Sequence, residues 1–309
     1  LSSAPQASWQ RPPSIRASSS KSSGLQLWQP VAVAFAAAGA AAATFRGGRQ
    51  ESYRWFHQKA RCDDQVIASR PKIIAFGDSI TQEGFYVGGW VQRIANVYVR
   101  RADVLNRGYS GYTTRWASPV LDKLLADGLG DGSILWTIWL GANDAAVPET
   151  SRHHVPLQEY EERLKTLVLK VQEQCPQASI IVVTPPAVED DMYEPGDRKD
   201  AQAALYAAAA RRVAADCGVF LLDVYTVMHS QPQPPRHFLS DGLHLSEAGG
   251  QLVAKMLMDL IAEQLPWLAV TPDRFTGKFH NSGSASKLRK EFPWHDELSK
   301  TVPYHSSLK

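Results

Sequence analysis

The sequence predicts an α/β protein, a three-layer α/β/α sandwich built on a five-stranded parallel sheet. Three observations lead there. Short apolar runs alternate with helix-period segments between Pro71 and Pro266, the signature of βαβ units. The run at 134–140, ILWTIWL, is apolar without alternation, as a strand covered on both faces must be. The runs end at glycine or at polar turn residues, where a parallel sheet offers the carboxyl ends of its strands to ligands.

The first strand is 72–76 (KIIAF), ending at Gly77. Trp90, Val91, Ile94, Val97 and Tyr98 follow at helical spacing. Val104 and Leu105 open a second strand that ends at Gly108, and Leu121, Leu124 and Leu125 mark the next helix. After the third strand and Gly141, Leu157, Tyr160, Leu164, Leu167, Val168 and Val171 form one face of a helix bounded by Pro156 and Pro176. A fourth strand is expected at 180–183. An Ala-rich helix through Leu205 and Val213 stops at Gly218, the residue type that ends helices in the left-handed conformation. A fifth strand at 219–222 follows. Leu252, Val253, Met256, Leu257, Leu260 and Ile261 make the last helix, closed by Pro266. The sequence contains no internal repeat.

At 309 residues, 44% hydrophobic and 21% charged, the chain can bury a sizeable core, which excludes disorder of the whole. Its net charge of +2 is uneven. Arg11, Arg16, Lys21, Arg46 and Arg49 lie in residues 1–50, which hold no acid, so residues 51–309 carry 28 basic against 31 acidic groups, or −3. That region has no polycationic field, which argues against nucleic acid as a main partner. Cys62, Cys175 and Cys217 are too few and too scattered for a disulfide framework or a zinc site and read as buried free thiols.

Residues 1–70 stand apart as a disordered or targeting segment. Positions 31–45 are uncharged and nine of these fifteen residues are Ala, shorter and poorer in Leu and Ile than a bilayer-spanning helix. Arg- and Ser-rich, acid-poor flanks fit an organellar transit sequence, with a signal-peptide core, a weak membrane anchor and a plain low-complexity tail as the alternatives. Residues 71–268 are read as the folded domain. Residues 269–309 are read as a tail partly packed on it through Phe275, Phe279, Phe292 and Trp294.

The unusual residues follow the strands: Gly77-Asp78-Ser79-Ile80-Thr81, Asn106-Arg107-Gly108-Tyr109-Ser110-Gly111, Gly141-Ala142-Asn143-Asp144 and Asp241-Gly242-Leu243-His244. Singly, each reads as a turn or a helix cap. Together they supply the parts that ester hydrolysis requires. A serine hydroxyl is a weak nucleophile until a base takes its proton, so Ser79 needs His244. The imidazole must be held in one tautomer, and Asp241, three residues earlier, can reach its far nitrogen. The tetrahedral intermediate needs donors for its oxyanion, which the N–H groups of Ser79 and Gly108 and the amide of Asn143 can provide.

These four segments, in this order and at strand ends, resemble the SGNH (GDSL) hydrolase superfamily, whose blocks carry Ser, Gly, Asn and, with a nearby Asp, His. Ser79, Gly108, Asn143, and Asp241 with His244 match them. FGDSIT, NRGYSGYTTRWA, LGANDA and DGLHLSEAGG resemble the isoamyl acetate-hydrolysing esterase branch. The resemblance covers about residues 71–270. It implies a flavodoxin-like fold with strand order 2-1-3-4-5 and hydrolysis of short-chain carboxylic esters, with water as the second reactant and no cofactor or metal. An α/β-hydrolase would show G-x-S-x-G around its serine, and Ser79 lacks that pentapeptide. An acyltransferase shares the same site chemistry. A lysophospholipase or carbohydrate deacetylase becomes the better reading if 31–45 holds the protein at a membrane, and a catalytically silent binding protein is the remaining alternative.

Tyr109, Tyr112 and Trp116 follow the second strand, and Tyr109 and Trp116 are expected to contact substrate. The acidic stretch 188–200, VEDDMYEPGDRKD, reads as a mobile surface loop, a candidate lid. Its acids read as solvated, not as a metal site. The Pro-rich 231–237 leads into the Asp-His turn.

Overall fold

Strand β3 (Ser133–Trp139) is buried at every position and forms the centre of the sheet. It pairs in parallel with β1 (Lys72–Gly77) on one side and β4 (Ser179–Val183) on the other. β2 (Asp103–Gly108) lies beyond β1 and β5 (Phe220–Leu222) beyond β4, giving the order β2-β1-β3-β4-β5. The predicted class, strand number and strand order are borne out. The computed structural model describes residues 70–272 and 279–280, apart from 191, 194 and 195. The expectations for 1–69, Cys62 and the aromatic residues of the tail lie outside the described residues or side chains.

Each strand sends alternate side chains to opposite faces. Ile74, Phe76, Trp136, Ile138, Ile180 and Val182 face helices α3 (Thr114–Ala126), α4 (Leu157–Gln174) and α5 (Asp200–Cys217), which present Leu121, Leu164, Val168, Tyr206 and Val213. α2 (Trp90–Val97) and α7 (Glu247–Gln264) pack together. Trp90 of α2 meets Trp139 of β3 with ring centroids 5.6 Å apart. Burial of side chains this large contributes about 2–3 kcal/mol each, and Cys175 and Cys217 are free thiols buried in the core with them.

Two of the α-helices were not anticipated. α1 (Ser79–Gln82) is a single turn, too short for a sequence period to reveal. α6 (Val224–Ser230) starts where the Asp223 side chain accepts from Thr226 N–H. Past α7, Leu268, Ala269 and Val270 are buried, and β6 (Thr271–Pro272) pairs with β7 (Phe279–His280). Among the described residues, no helix is long and apolar enough to cross a membrane.

The register builds the crevice. Gly77 pairs with Gly108 on one side and Trp139 on the other, so the chain leaves β1, β2 and β3 at one level. The order reverses at β1, and such a switch point is where open α/β sheets bind ligands.

Candidate active site

Ser79 is the first residue of α1, immediately after β1, with Asp78 as the N-cap: its Oδ1 accepts from Ile80 N–H at 3.0 Å. One turn of helix cannot hold itself, and its far end hangs on β2. Asn106 Nδ2 donates to Thr81 O at 2.6 Å, and Gln82 Oε1 accepts from Ser110 N–H at 2.9 Å. Gly108 lies flat against this turn. A Cβ there would stand 2.0 Å from Gln82 N and 2.5 Å from its Cα, so the close approach needs glycine.

The Asp241–His244 turn is built locally. Asp241 Oδ1 accepts from Leu243 N–H at 3.0 Å and His244 N–H at 2.8 Å. Its Oδ2 is 2.7 Å from His244 Nδ1. The other ring nitrogen, Nε2, is 2.9 Å from Ser79 Oγ. Burial raises the Asp241 carboxyl, but the bonds from the His244 ring and from the two backbone N–H groups outweigh it and leave the group below its ordinary value. Asp241 is therefore ionised at neutral pH. Tyr193 stands edge-on to the imidazole, centroids 5.6 Å apart.

Asn143 follows β3 after Gly141, which takes φ +124° and would set a Cβ 2.8 Å from Tyr160 Oη. Tyr160 donates to Leu140 O at 3.1 Å and so secures the strand end. Asn143 is buried, with Nδ2 donating to Tyr112 O at 3.0 Å and Oδ1 accepting from Arg198 Nη2 at 3.1 Å. Gly108 N–H donates to Asn106 Oδ1 at 2.8 Å. It reaches an oxyanion only by sharing or leaving that bond.

Tyr109 and Trp116 fall on an aromatic row. Tyr109 stacks on Tyr112 at 5.2 Å, Tyr112 meets Trp116 at 6.2 Å, and Trp116 meets His153 at 5.7 Å. Trp116 is exposed. Among the described residues, no three His, Cys, Asp or Glu side chains gather so as to hold a metal ion.

A sequence model of the GDSL-like lipase/acylhydrolase family matches residues 75–252, more than half of the chain. The chain belongs to that family. The isoamyl acetate-hydrolyzing esterase 1 homolog of Mus musculus is 39% identical over 212 residues, 64% of this chain and 85% of the mouse protein. A GDSL esterase/lipase of Arabidopsis thaliana is 37% identical over 211 residues, 63% of this chain and 87% of the plant protein. Among solved structures, the lipase/acylhydrolase from Enterococcus faecalis matches with a TM-score of 0.50 at 26% identity, over 62% of this chain and 95% of its own. A variant of the acetyl-xylooligosaccharide esterase from Geobacillus stearothermophilus matches with a TM-score of 0.51 at 25% identity, over 65% and 98%. This GDSL hydrolase is a carboxylic ester hydrolase, whose reactants are small-molecule esters and water.

Three features of the GDSL site escaped the sequence reading. Asn106 ties β2 to α1, and its only signal was its place two residues before Gly108. The 188–200 stretch is pinned, not free, at its described residues. Glu189 N–H bonds Gly242 O at 2.9 Å, Val147 N–H bonds Asp197 O at 3.0 Å, and Arg198 is buried. The third is a pair of buried acids, Asp78 and Asp144, each with an Oδ2 that has no partner among the described residues. Asp144 Oδ1 caps α3 through Thr114 N–H at 3.0 Å and Thr114 Oγ1 at 2.5 Å.

Burial raises Asp144 to about 6, against the pull of the Thr114 bonds. Burial raises Asp78 further, to about 7, against the Ile80 N–H bond and with repulsion from Asp144 adding to the rise. An unfolded chain releases the Asp78 proton near 3.8. Between about pH 4 and 7 the folded state therefore binds the extra proton, and stability declines as pH rises through that window, by up to about 1.4 kcal/mol per pH unit. Asp78→Asn keeps the Ile80 bond and carries no charge. Its melting temperature should gain on the wild type by several degrees between about pH 4 and pH 7.5. A constant gap across paired thermal melts would show that Asp78 titrates normally.

Proposed function

We propose that the protein hydrolyses short-chain acyl esters through an acyl-enzyme on Ser79. The observation that carries this is the unbroken chain Ser79 Oγ, His244 Nε2, His244 Nδ1, Asp241 Oδ2, with links of 2.9 and 2.7 Å. Ser79 Oγ attacks the ester carbonyl carbon while His244 Nε2 takes its proton. The new oxyanion is held by the N–H of Ser79 and the Nδ2–H of Asn143, with Gly108 N–H as a third donor once it turns from Asn106. The intermediate collapses, the C–O bond to the alcohol breaks, and His244 protonates the departing oxygen. Water then adds to the acyl-enzyme, giving its proton to His244, and the second collapse returns the proton to Ser79 and frees the acid. The ionised Asp241 carboxylate stabilises the imidazolium formed at each addition.

Two names support a short acyl group: relatives termed isoamyl acetate-hydrolyzing and a structural neighbour that is an acetyl-xylooligosaccharide esterase. That neighbour also favours a second reading, deacetylation of a carbohydrate, for which the exposed Trp116 beside Tyr112 offers an aromatic platform. The purified full chain should be assayed on p-nitrophenyl esters from acetyl to dodecanoyl and on acetylated xylooligosaccharide. The expected result is highest kcat/KM at acetyl to butyryl, with at least about a tenfold fall by decanoyl. A maximum at decanoyl or longer would point to a lipid substrate and sink the short-acyl reading. Turnover of the acetylated sugar above that of acetyl p-nitrophenol would select the second.

A further inference from the structure

We propose that Arg198 is a positioning residue for the oxyanion donor, holding the Asn143 amide so that one Nδ2–H is presented to the ester. This rests on the reading of Asn143 as that donor. The amide lies between two partners with opposite demands. Tyr112 O can only accept, and the Arg198 guanidinium can only donate. One orientation of the amide satisfies both, with Nδ2 on Tyr112 O at 3.0 Å and Oδ1 on Arg198 Nη2 at 3.1 Å. Nδ2 has two hydrogens, so one remains for the substrate oxygen. With both ends of the amide engaged, rotation about its terminal bond is stopped before the ester arrives, which is what a preorganised donor needs. The guanidinium charge beside the amide oxygen also polarises the group and strengthens its N–H as a donor.

The surroundings of Arg198 fit this task better than that of a general strut. The residue is 2% exposed, and its Nε–H has no partner among the described residues. An unpaired buried donor costs stability, so the fold gains little from this guanidinium as such. Its two Nη groups divide the work. Nη1 contacts the Asp197 carboxylate and Asp197 O, while Nη2 goes to Asn143. The guanidinium carbon lies 5.5 Å from the centre of the Tyr193 ring, the same ring that stands against His244. Asp197 O accepts from Val147 N–H at 3.0 Å, four residues past Asn143, so backbone and side chain of this short segment both grip the loop that carries the donor.

The test is a double-mutant cycle on the full chain, using p-nitrophenyl acetate. Asn143→Ala should lower kcat by about 10²–10³-fold with little change in KM. Arg198→Met should lower kcat by about 10–100-fold, again with KM nearly unchanged, and Arg198→Lys, which keeps charge and donor, should recover part of the loss. In the Asn143→Ala background Arg198→Met should cost less than about threefold, because the group it positions is gone. Equal losses in both backgrounds, or a change in KM alone, would make Arg198 a strut and overturn the proposal. An unchanged kcat in Arg198→Met beside a large loss in Asn143→Ala would sink the proposal and leave the oxyanion reading standing. An unchanged kcat in Asn143→Ala would sink both. Should Arg198→Met not fold, Asp197→Asn/Arg198→Met leaves no unpaired carboxylate and enters the cycle in its place.

Discussion

Replacing Ser79 by alanine should lower kcat by about 10⁴-fold or more while the protein keeps its melting temperature within a few degrees. The loss is large because the remaining groups can orient water and an ester but cannot form the acyl-enzyme. The fold survives because the hydroxyl is not what holds the turn. Asp78 Oδ1 still accepts from Ile80 N–H, Gln82 N–H still bonds Asp78 O at 2.9 Å, and Asn106 still holds Thr81 O. Hydrolysis of p-nitrophenyl acetate, paired with labelling by a fluorophosphonate probe and mass spectrometry of the adduct, decides it. Labelling of the alanine variant to the extent of the wild type would remove Ser79 as the nucleophile.

His244→Ala should be nearly as damaging, and the Ser79→Ala/His244→Ala double variant no worse than either, since the two act on one proton. Asp241→Asn is the more informative change, with an expected loss of about 10³-fold or more in kcat. Its Oδ1 can keep the bonds from Leu243 and His244 N–H, so the turn is preserved. The amide Nδ2 would then face His244 Nδ1, force that nitrogen to accept, and leave the proton on Nε2 opposite Ser79. A ring protonated there cannot serve as base. The Asp241 side chain is 43% exposed, so water replaces part of its field, which keeps the expected loss below that of Ser79→Ala. Two other histidines have bonds elsewhere: His154 Nδ1 lies 2.8 Å from Ala146 O and His229 Nε2 3.1 Å from Asp200 Oδ2. If His244→Ala kept near-normal rates while a change at His153, His154, His229 or His237 abolished them, the assignment would be wrong.

The sheet was readable because each central strand is a run that only burial on both faces explains. Ile134 to Trp139 leaves no polar face, and the strand limits fell within a residue or two of the apolar runs. Three of the four site segments were readable for a related reason, since parallel strands end together and these segments follow β1, β2 and β3 directly, whereas the Asp241–His244 turn comes after α6. What escaped depends on distance. The contact of Arg198 with Asn143 spans 55 positions, and no local spacing encodes it. The stretch around Arg198 looks like a solvated loop by composition, yet one arginine and one aspartate in it are buried, because the two pair with each other and the arginine also reaches Asn143. Asp78 read as an ordinary helix cap. Its raised carboxyl follows from full burial beside a second acid 66 positions away, a property of packing, not of pattern.

His244 and Asp241 share one short, self-bonded turn, closed by Ser240 N–H on His244 O at 2.8 Å and by the Leu239–Leu245 bridge, whereas Ser79 lies 165 positions upstream on another segment. On the proposed mechanism the acid and the base therefore form one cassette, joined to the nucleophile through a single gap, that between imidazole and hydroxyl. On that mechanism, widening the crevice would lengthen only the contact between His244 Nε2 and Ser79 Oγ and leave the Asp241–His244 bond in place. The cassette runs straight into the α7 N-terminus, where Ser246 Oγ donates to His237 O at 2.9 Å and accepts from Gly249 N–H at 3.2 Å.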